Sequence, residues 1–127
     1  MTPGAKLTNQ IREAASKIGA RLFVMSSGTF WQGQIVSKTD DTLTLKYPRR
    51  VTVGFEGLSD LLGGSPVTIT PDMVGQTLLV VTACEVKAGN DQPRPKQPEF
   101  IAFIKKAGGR AGFARSIEDA LKICRGE

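Results

Sequence analysis

Histidine is absent from the 127-residue chain. That excludes a histidine general base, a histidine nucleophile and any His-ligated zinc site. Acid–base and metal chemistry, where present, must come from carboxylates, lysine and water. Cysteine is scarce as well: Cys84 and Cys124 are the 2 in the chain. They lack metal-site spacing and read as buried, reduced thiols. No apolar run approaches membrane-spanning length, and the N-terminal "MTPGAKLTNQ" has no signal-peptide core. Repeats, low-complexity tracts and linkers are also missing. The expectation is a cytoplasmic protein with no membrane partner. It would form a single domain over residues 1–127, long enough to build a core without disulfides or metals.

Positive charge is what the chain has in excess. Lys plus Arg number 17 against 12 Asp plus Glu, a formal +5 with a pI near 9.5. A small basic domain points to a polyanionic partner, nucleic acid first.

The pattern of apolar residues predicts an α/β chain. Leu7, Ile11, Ala14, Ala15 and Ile18 recur at helical spacing over 5–19, with Thr8 as a cap and Gly19 as a stop. Strands are expected at 20–27, 29–38, 41–47 and 49–55, then an irregular 56–65 rich in glycine and a short strand "PVTIT". Residues 76–89, apolar on both faces, read as a central strand. A proline-rich loop over 90–98 leads to a helix over 99–108. A strand over 110–116 follows, and then a helix capped by Ser116. In that helix Glu118 and Asp119 lie in the first turn and Lys122 and Arg125 near the end, as the helix dipole prefers. The whole reads as a mixed sheet flanked by helices.

The stretch "VVTACEVKAG" over 80–89 carries the chemistry. Side chains two apart on a strand share a face, so Glu85 and Lys87 project together from the end of an apolar strand. Taken alone they are as well explained by a salt bridge at a fraying strand end. Asp60 lies upstream in the glycine-flanked "GLSDLLGG", where a plain loop or capping aspartate is the commoner role. Glu13 sits among polar neighbours on the first helix, as a solvated residue does. Gln97 is in register with Ile101 and Ile104, so it points toward the sheet or caps the helix. The residue before a proline avoids helical geometry, and Pro98 follows Gln97.

Asp60, then Glu85-Val86-Lys87 on a strand, then a glutamine opening the next helix resembles the PD-(D/E)XK nuclease superfamily. More closely the chain resembles the VRR-Nuc group, the virus-type replication–repair nucleases. The matching stretches are Glu13 in the first helix, "GLSDLLG", "CEVKAG" and "KQPEFIAFIKKAGGRAGFARSIEDAL". Residues 20–55 match loosely, and Ser59 stands where the first motif nominally has proline. The resemblance implies a restriction-endonuclease-like core and hydrolysis of DNA phosphodiesters. It implies that Asp60, Glu85 and the Val86 carbonyl hold Mg²⁺ or Mn²⁺, an oxygen-ligand set that hard divalent ions favour. Lys87 would position the attacking water and steady charge on the phosphate. Glu13 would meet a water of the ion's shell or a second ion, and Gln97 would orient the water or touch phosphate.

For DNA, Arg49, Arg50, Arg94, Lys96 and Lys105 are the candidate phosphate contacts, with Lys106 and Arg110 nearby. Each is more often a plain surface charge, and Arg94 and Lys96 stand out because their loop adjoins the candidate site. Trp31 reads as core or dimer packing rather than a base-stacking platform. Stand-alone members of the group are similar to Holliday-junction resolvases. A homodimer acting on branched DNA is therefore the implied assembly, and a phage origin would place it in the host cytoplasm. The competing reading is a non-enzymatic basic nucleic-acid-binding module built on residues 29–55, which leaves Asp60, Glu85 and Lys87 without a reason. A nuclease-fold subunit of another enzyme is a third, and the intact Asp, Glu and Lys argue against it.

Overall fold

A computed structural model describes all residues 1–127. Helix α1 (Pro3–Lys17) is followed by β1 (Arg21–Val24), β2 (Gly28–Lys38), β3 (Leu43–Val53) and β4 (Leu61–Gly64). A 3-10 turn spans Pro71–Met73, then come β5 (Thr82–Val86), α2 (Lys96–Lys106), β6 (Arg110–Ala114) and α3 (Ile117–Arg125). The strands hydrogen-bond as three two-stranded sheets: β1 with β4, β2 with β3, and β5 with β6. The chain divides into two compact units, residues 22–62 and residues 1–21 with 63–127. No helix is long and apolar enough to cross a membrane.

In the larger unit, β5 and β6 run parallel, Thr82 opposite Arg110 through Val86 opposite Ala114. The ladder continues one bond further at each end, from Arg110 N to the Val81 carbonyl and from Lys87 N to the Ala114 carbonyl, each 2.9 Å. Parallel strands need a crossover, and α2 supplies it. Both α2 and α3 pack on β5 and β6. Ile104 of α2 and Ala114 of β6 are buried, as is Ala20 after α1. Gly109 permits the close return of the chain: a Cβ there would lie 2.7 Å from Ile104 Cγ2 and 2.8 Å from the Val81 carbonyl oxygen. Phe100 stacks on Phe103 at 6.4 Å between ring centres, and the Arg21 guanidinium lies 5.9 Å from the Phe103 ring centre.

Helix ends follow local chemistry. Thr2, not Thr8, caps α1 by accepting from Ala5 N at 3.1 Å. The helix starts two residues earlier than expected because Pro3 suits the first turn, where its missing N–H has no partner to lose. Ser116 accepts from Asp119 N at 3.1 Å, and Asp119 Oδ2 accepts from Arg115 N at 2.9 Å. This reciprocal pair is a variant of the capping box. Helix α2 opens at Lys96, ahead of the expected residue 99. Pro98 falls in its first turn, where a proline costs no hydrogen bond, so Gln97 is helical after all.

In the smaller unit, β2 and β3 form an antiparallel ribbon with two register irregularities, between Gln32 and Gln34 and between Ile35 and Ser37. The two strands expected at 41–47 and 49–55 are one strand. Pro48 is accommodated at the irregularity, next to Tyr47, whose φ of 53° marks the kink. Asp60 precedes β4, and its carbonyl accepts from Met25 N at 2.9 Å.

Several other expectations are corrected. Residues 61–64 form a strand where an irregular stretch was expected, and "PVTIT" forms none. Over 76–89 only Thr82–Val86 is a strand, and it is not buried on both faces: Thr82, Cys84 and Val86 are exposed, Val86 by 73%, and Leu79 ahead of the strand is fully exposed. Apolar composition alone cannot reveal that neither neighbour covers them. Both cysteines are free but exposed rather than buried. Leu7 and Ile11 of α1 and Ile18 just after it, the expected apolar stripe, are exposed too.

Candidate active site

The geometry of β5 positions the site. Its burial alternates, with Ala83 and Glu85 half-buried, Lys87 buried, and Thr82, Cys84 and Val86 exposed. The period of two puts Ala83, Glu85 and Lys87 on one face. Lys87 is 7% exposed and is the buried charged residue of the chain. Burying an ammonium without a counter-charge is costly. Its counter-charge is Glu85, whose Oε1 lies 3.6 Å from Lys87 Nζ.

Gln97 completes the group. It sits in the first turn of α2, and its Nε2 donates to the same Glu85 Oε1 at 2.6 Å. Its own Oε1 accepts from Arg94 N at 2.8 Å. The amide is thereby oriented by the loop before α2, and Glu85 is held from two sides at one oxygen. Glu85 Oε2 takes no hydrogen bond from the chain. A half-exposed carboxylate with one oxygen tethered and one open is a suitable ligand for a hard cation. Magnesium commonly takes only one or two protein carboxylates and fills the rest of its shell with water. No three His, Cys, Asp or Glu side chains gather as a ready metal cluster. A cleft of about 350 Å³ opens here, lined by Ala83, Cys84, Glu85, Lys96, Gln97, Phe100 and Ile101.

The remaining predicted residues stand as follows. Asp60 lies in the smaller unit, immediately before β4 and exposed. Glu13 is exposed on α1 and pairs with Lys17 at 3.1 Å, one helical turn on. Lys96 pairs with Glu99 at 3.2 Å, both largely exposed. Arg94 lies in the loop at the site, Lys105 in the last turn of α2. Arg49 donates to Gln32 Oε1 at 2.6 Å, and Arg50 faces Trp31 across the ribbon.

Arg115 escapes notice in the sequence. It follows β6, and its guanidinium donates to the Gly89 carbonyl at 2.8 Å and the Asp91 carbonyl at 2.6 Å. Those two carbonyls open the loop that runs from Lys87 to Gln97. Arg115 thus fixes the connection between the two halves of the site. Its sequence signal is faint, an arginine just ahead of a capping serine, and the loop it holds is more than twenty residues away.

A buried lysine and a tethered carboxylate on a strand, met by a glutamine from the crossover helix, thus form one polar group in an α/β protein. A VRR-NUC domain model matches residues 6–118, and the chain belongs to that family. Membership implies a nuclease-type function with DNA as the substrate class. No curated protein and no solved structure matches the chain.

Proposed function

We propose that the protein is a divalent-metal-dependent, structure-specific DNA endonuclease resembling Holliday-junction resolvases, acting as a homodimer on branched DNA. The observation that carries this reading is the convergence of Lys87 and Gln97 on one oxygen of Glu85. The parallel pair β5 and β6 with its crossover helix α2 supports a PD-(D/E)XK core, although the strands hydrogen-bond as three two-stranded sheets and not as the one mixed sheet expected. Glu85 and the Val86 carbonyl, joined by Asp60, are the residues that would hold Mg²⁺ or Mn²⁺. Such an ion polarises the scissile phosphate and makes water a stronger nucleophile at neutral pH.

The chain's own residues do the rest. Lys87 holds the attacking water and meets the negative charge that builds on the phosphoryl oxygens as the new P–O bond forms. The ester P–O bond breaks, the attacking water gives up a proton to solvent and the leaving oxygen takes one from it. Gln97 keeps Glu85 oriented. Glu13 would serve a water of the ion's shell or a second ion. Arg49, Arg50, Arg94, Lys96 and Lys105 grip phosphates without reading bases. The exposed stripe of Leu7 and Ile11 on α1, with Ile18 just after it, supports a homodimer, since large apolar side chains in a row mark interaction surfaces. The free, exposed thiols of Cys84 and Cys124 suit a cytoplasmic setting, the host's if a phage encodes the chain.

The test is cleavage of a labelled four-way junction beside linear duplex and single strand, with Mg²⁺, Mn²⁺ or EDTA, for wild type and Lys87→Ala. Cutting of the junction that needs both metal and Lys87 is the expected result. Cutting of linear DNA alone would remove the junction preference and leave a nuclease. Metal-independent binding with no cutting of any substrate would favour a basic binding module and leave Glu85–Lys87 as a salt bridge.

A further inference from the structure

The β2–β3 ribbon has a composition that the nuclease chemistry does not use. Its strands are 11 residues each, which extends about 35 Å at the usual rise. Every residue of β2 is exposed, and β3 is half-buried only at Leu45, Val51 and Val53. The strands carry Lys38, Lys46, Arg49 and Arg50 and no acidic residue. Trp31, the 1 tryptophan of the chain, is 60% exposed. It lies directly opposite Arg50, and opposed residues of an antiparallel pair share a face. Phe30 and Val51 therefore take the other face.

The guanidinium of Arg49 is engaged by Gln32, whereas that of Arg50 has no partner within the chain. Further along, the Lys46 ammonium lies 5.3 Å from the centre of the Tyr47 ring, and Tyr47 is 76% exposed. The kink that turns Tyr47 outward is built in: at Gly33 a Cβ would come within 2.9 Å of the Lys46 carbonyl oxygen.

An exposed tryptophan beside an unpaired arginine asks for an occupant that is both planar and anionic. Trp and Arg also serve protein interfaces, so the choice of occupant rests on charge: Lys38 and Lys46, of a type depleted at such interfaces, accompany them on the same ribbon. Every fixed charge on these strands is positive. Nucleic acid supplies both features, a base to stack on the indole and a phosphate for the guanidinium. Duplex DNA covers each base face with its neighbour, so only an unpaired base can lie on Trp31.

We propose that the Trp31–Arg50 face of the ribbon binds unpaired nucleotides, Trp31 stacking on a base and Arg50 pairing with the adjoining phosphate. This rests on the DNA-nuclease reading for its choice of polymer, and it adds a contact outside the Glu85–Lys87–Gln97 site. It also replaces the expectation that Trp31 serves packing.

Because Trp31 is the sole tryptophan, its emission reports this face alone. The full chain is titrated in EDTA with oligothymidylate and with blunt duplex, following tryptophan fluorescence and, in parallel, anisotropy of labelled oligonucleotide. Quenching by oligothymidylate but not by duplex is expected. Trp31→Ala should weaken oligothymidylate binding about tenfold, the loss of one stacked base, and Trp31→Phe should restore most of it. Arg50→Ala should weaken binding and reduce the steepness of its salt dependence by about one phosphate contact. Oligothymidylate binding with unchanged Trp31 emission overturns the proposal, as does equal quenching by duplex. Emission that shifts with protein concentration alone, with no response to oligothymidylate, overturns it in favour of a protein interface. Cleavage is assayed separately with metal: quenching without any cleavage sinks the nuclease reading and leaves this one standing, and cleavage without quenching does the reverse.

Discussion

In the proposed mechanism Lys87 is the residue on which the chemistry turns. Its burial beside Glu85 makes it a preorganised cation, fixed by packing before substrate arrives. Lys87→Ala should cut the rate of junction cleavage by about a hundredfold or more, in line with removal of one preorganised donor. Circular dichroism and DNA-binding affinity should change little. A loss of secondary structure would show instead that Lys87 is structural. Arg115 acts at one remove. Arg115→Ala frees the Gly89 and Asp91 carbonyls, so amides over 88–95 should exchange with solvent faster while those of β6 and α3 keep their protection. Arg115→Lys, which cannot bridge two carbonyls with a planar fork, should restore the protection only in part. Unchanged exchange over 88–95 would mean the loop holds itself. The pairing of Glu85 and Lys87 on one face was legible, because a strand's period of two allows no other arrangement for residues two apart. Arg115 was not, since nothing local ties an arginine to carbonyls twenty-odd positions earlier.

Among the elements, the parallel β5–β6 pair with its helices depends on two small details. Gly109→Ala drives a methyl into Ile104 and the Val81 carbonyl, and should cost about 1–3 kcal/mol by the usual penalty for overpacking. Ser116→Ala removes the α3 cap and should cost roughly 1 kcal/mol. Urea denaturation with an unchanged slope checks both, and a Gly109→Ala variant as stable as wild type would mean that the chain relaxes there easily. Caps and glycine stops were readable where the signal is local: Ser116, Gly19 and the charge pattern of α3 lie as expected. Errors arose where one local rule competed with another. Two strands were expected at 41–47 and 49–55, yet a register irregularity absorbs the Pro48 between them. Pro98 suggested a late start for α2, yet the first turn tolerates it.

For the whole molecule, exposure is the informative quantity. Leu7 and Ile11 on α1, and Ile18 just after it, stay exposed within one chain. If they meet a second copy, light scattering should give twice the 13.6 kDa of the chain, and Ile11→Glu should return the monomer mass with α-helical content intact. A wild-type monomer at concentrations that cleave junctions would remove the homodimer from the proposal. Divalent metal belongs to this scale as well. Mg²⁺ or Mn²⁺ held by Glu85 should raise the thermal midpoint, as any ligand of the native state does, and Glu85→Ala should abolish the rise.

Local patterns in the sequence determined the α/β class, most helix ends, the shared face of Glu85 and Lys87 and the family resemblance. These depend on residues a few positions apart, where strand and helix periods leave little choice. Tertiary structure decided what no period encodes. Gln97 reaches back to Glu85, Arg115 spans to the 88–95 loop, and Trp31 lies open opposite Arg50. Which side chains stay uncovered depends on how distant segments pack, and apolar composition by itself does not reveal its partner.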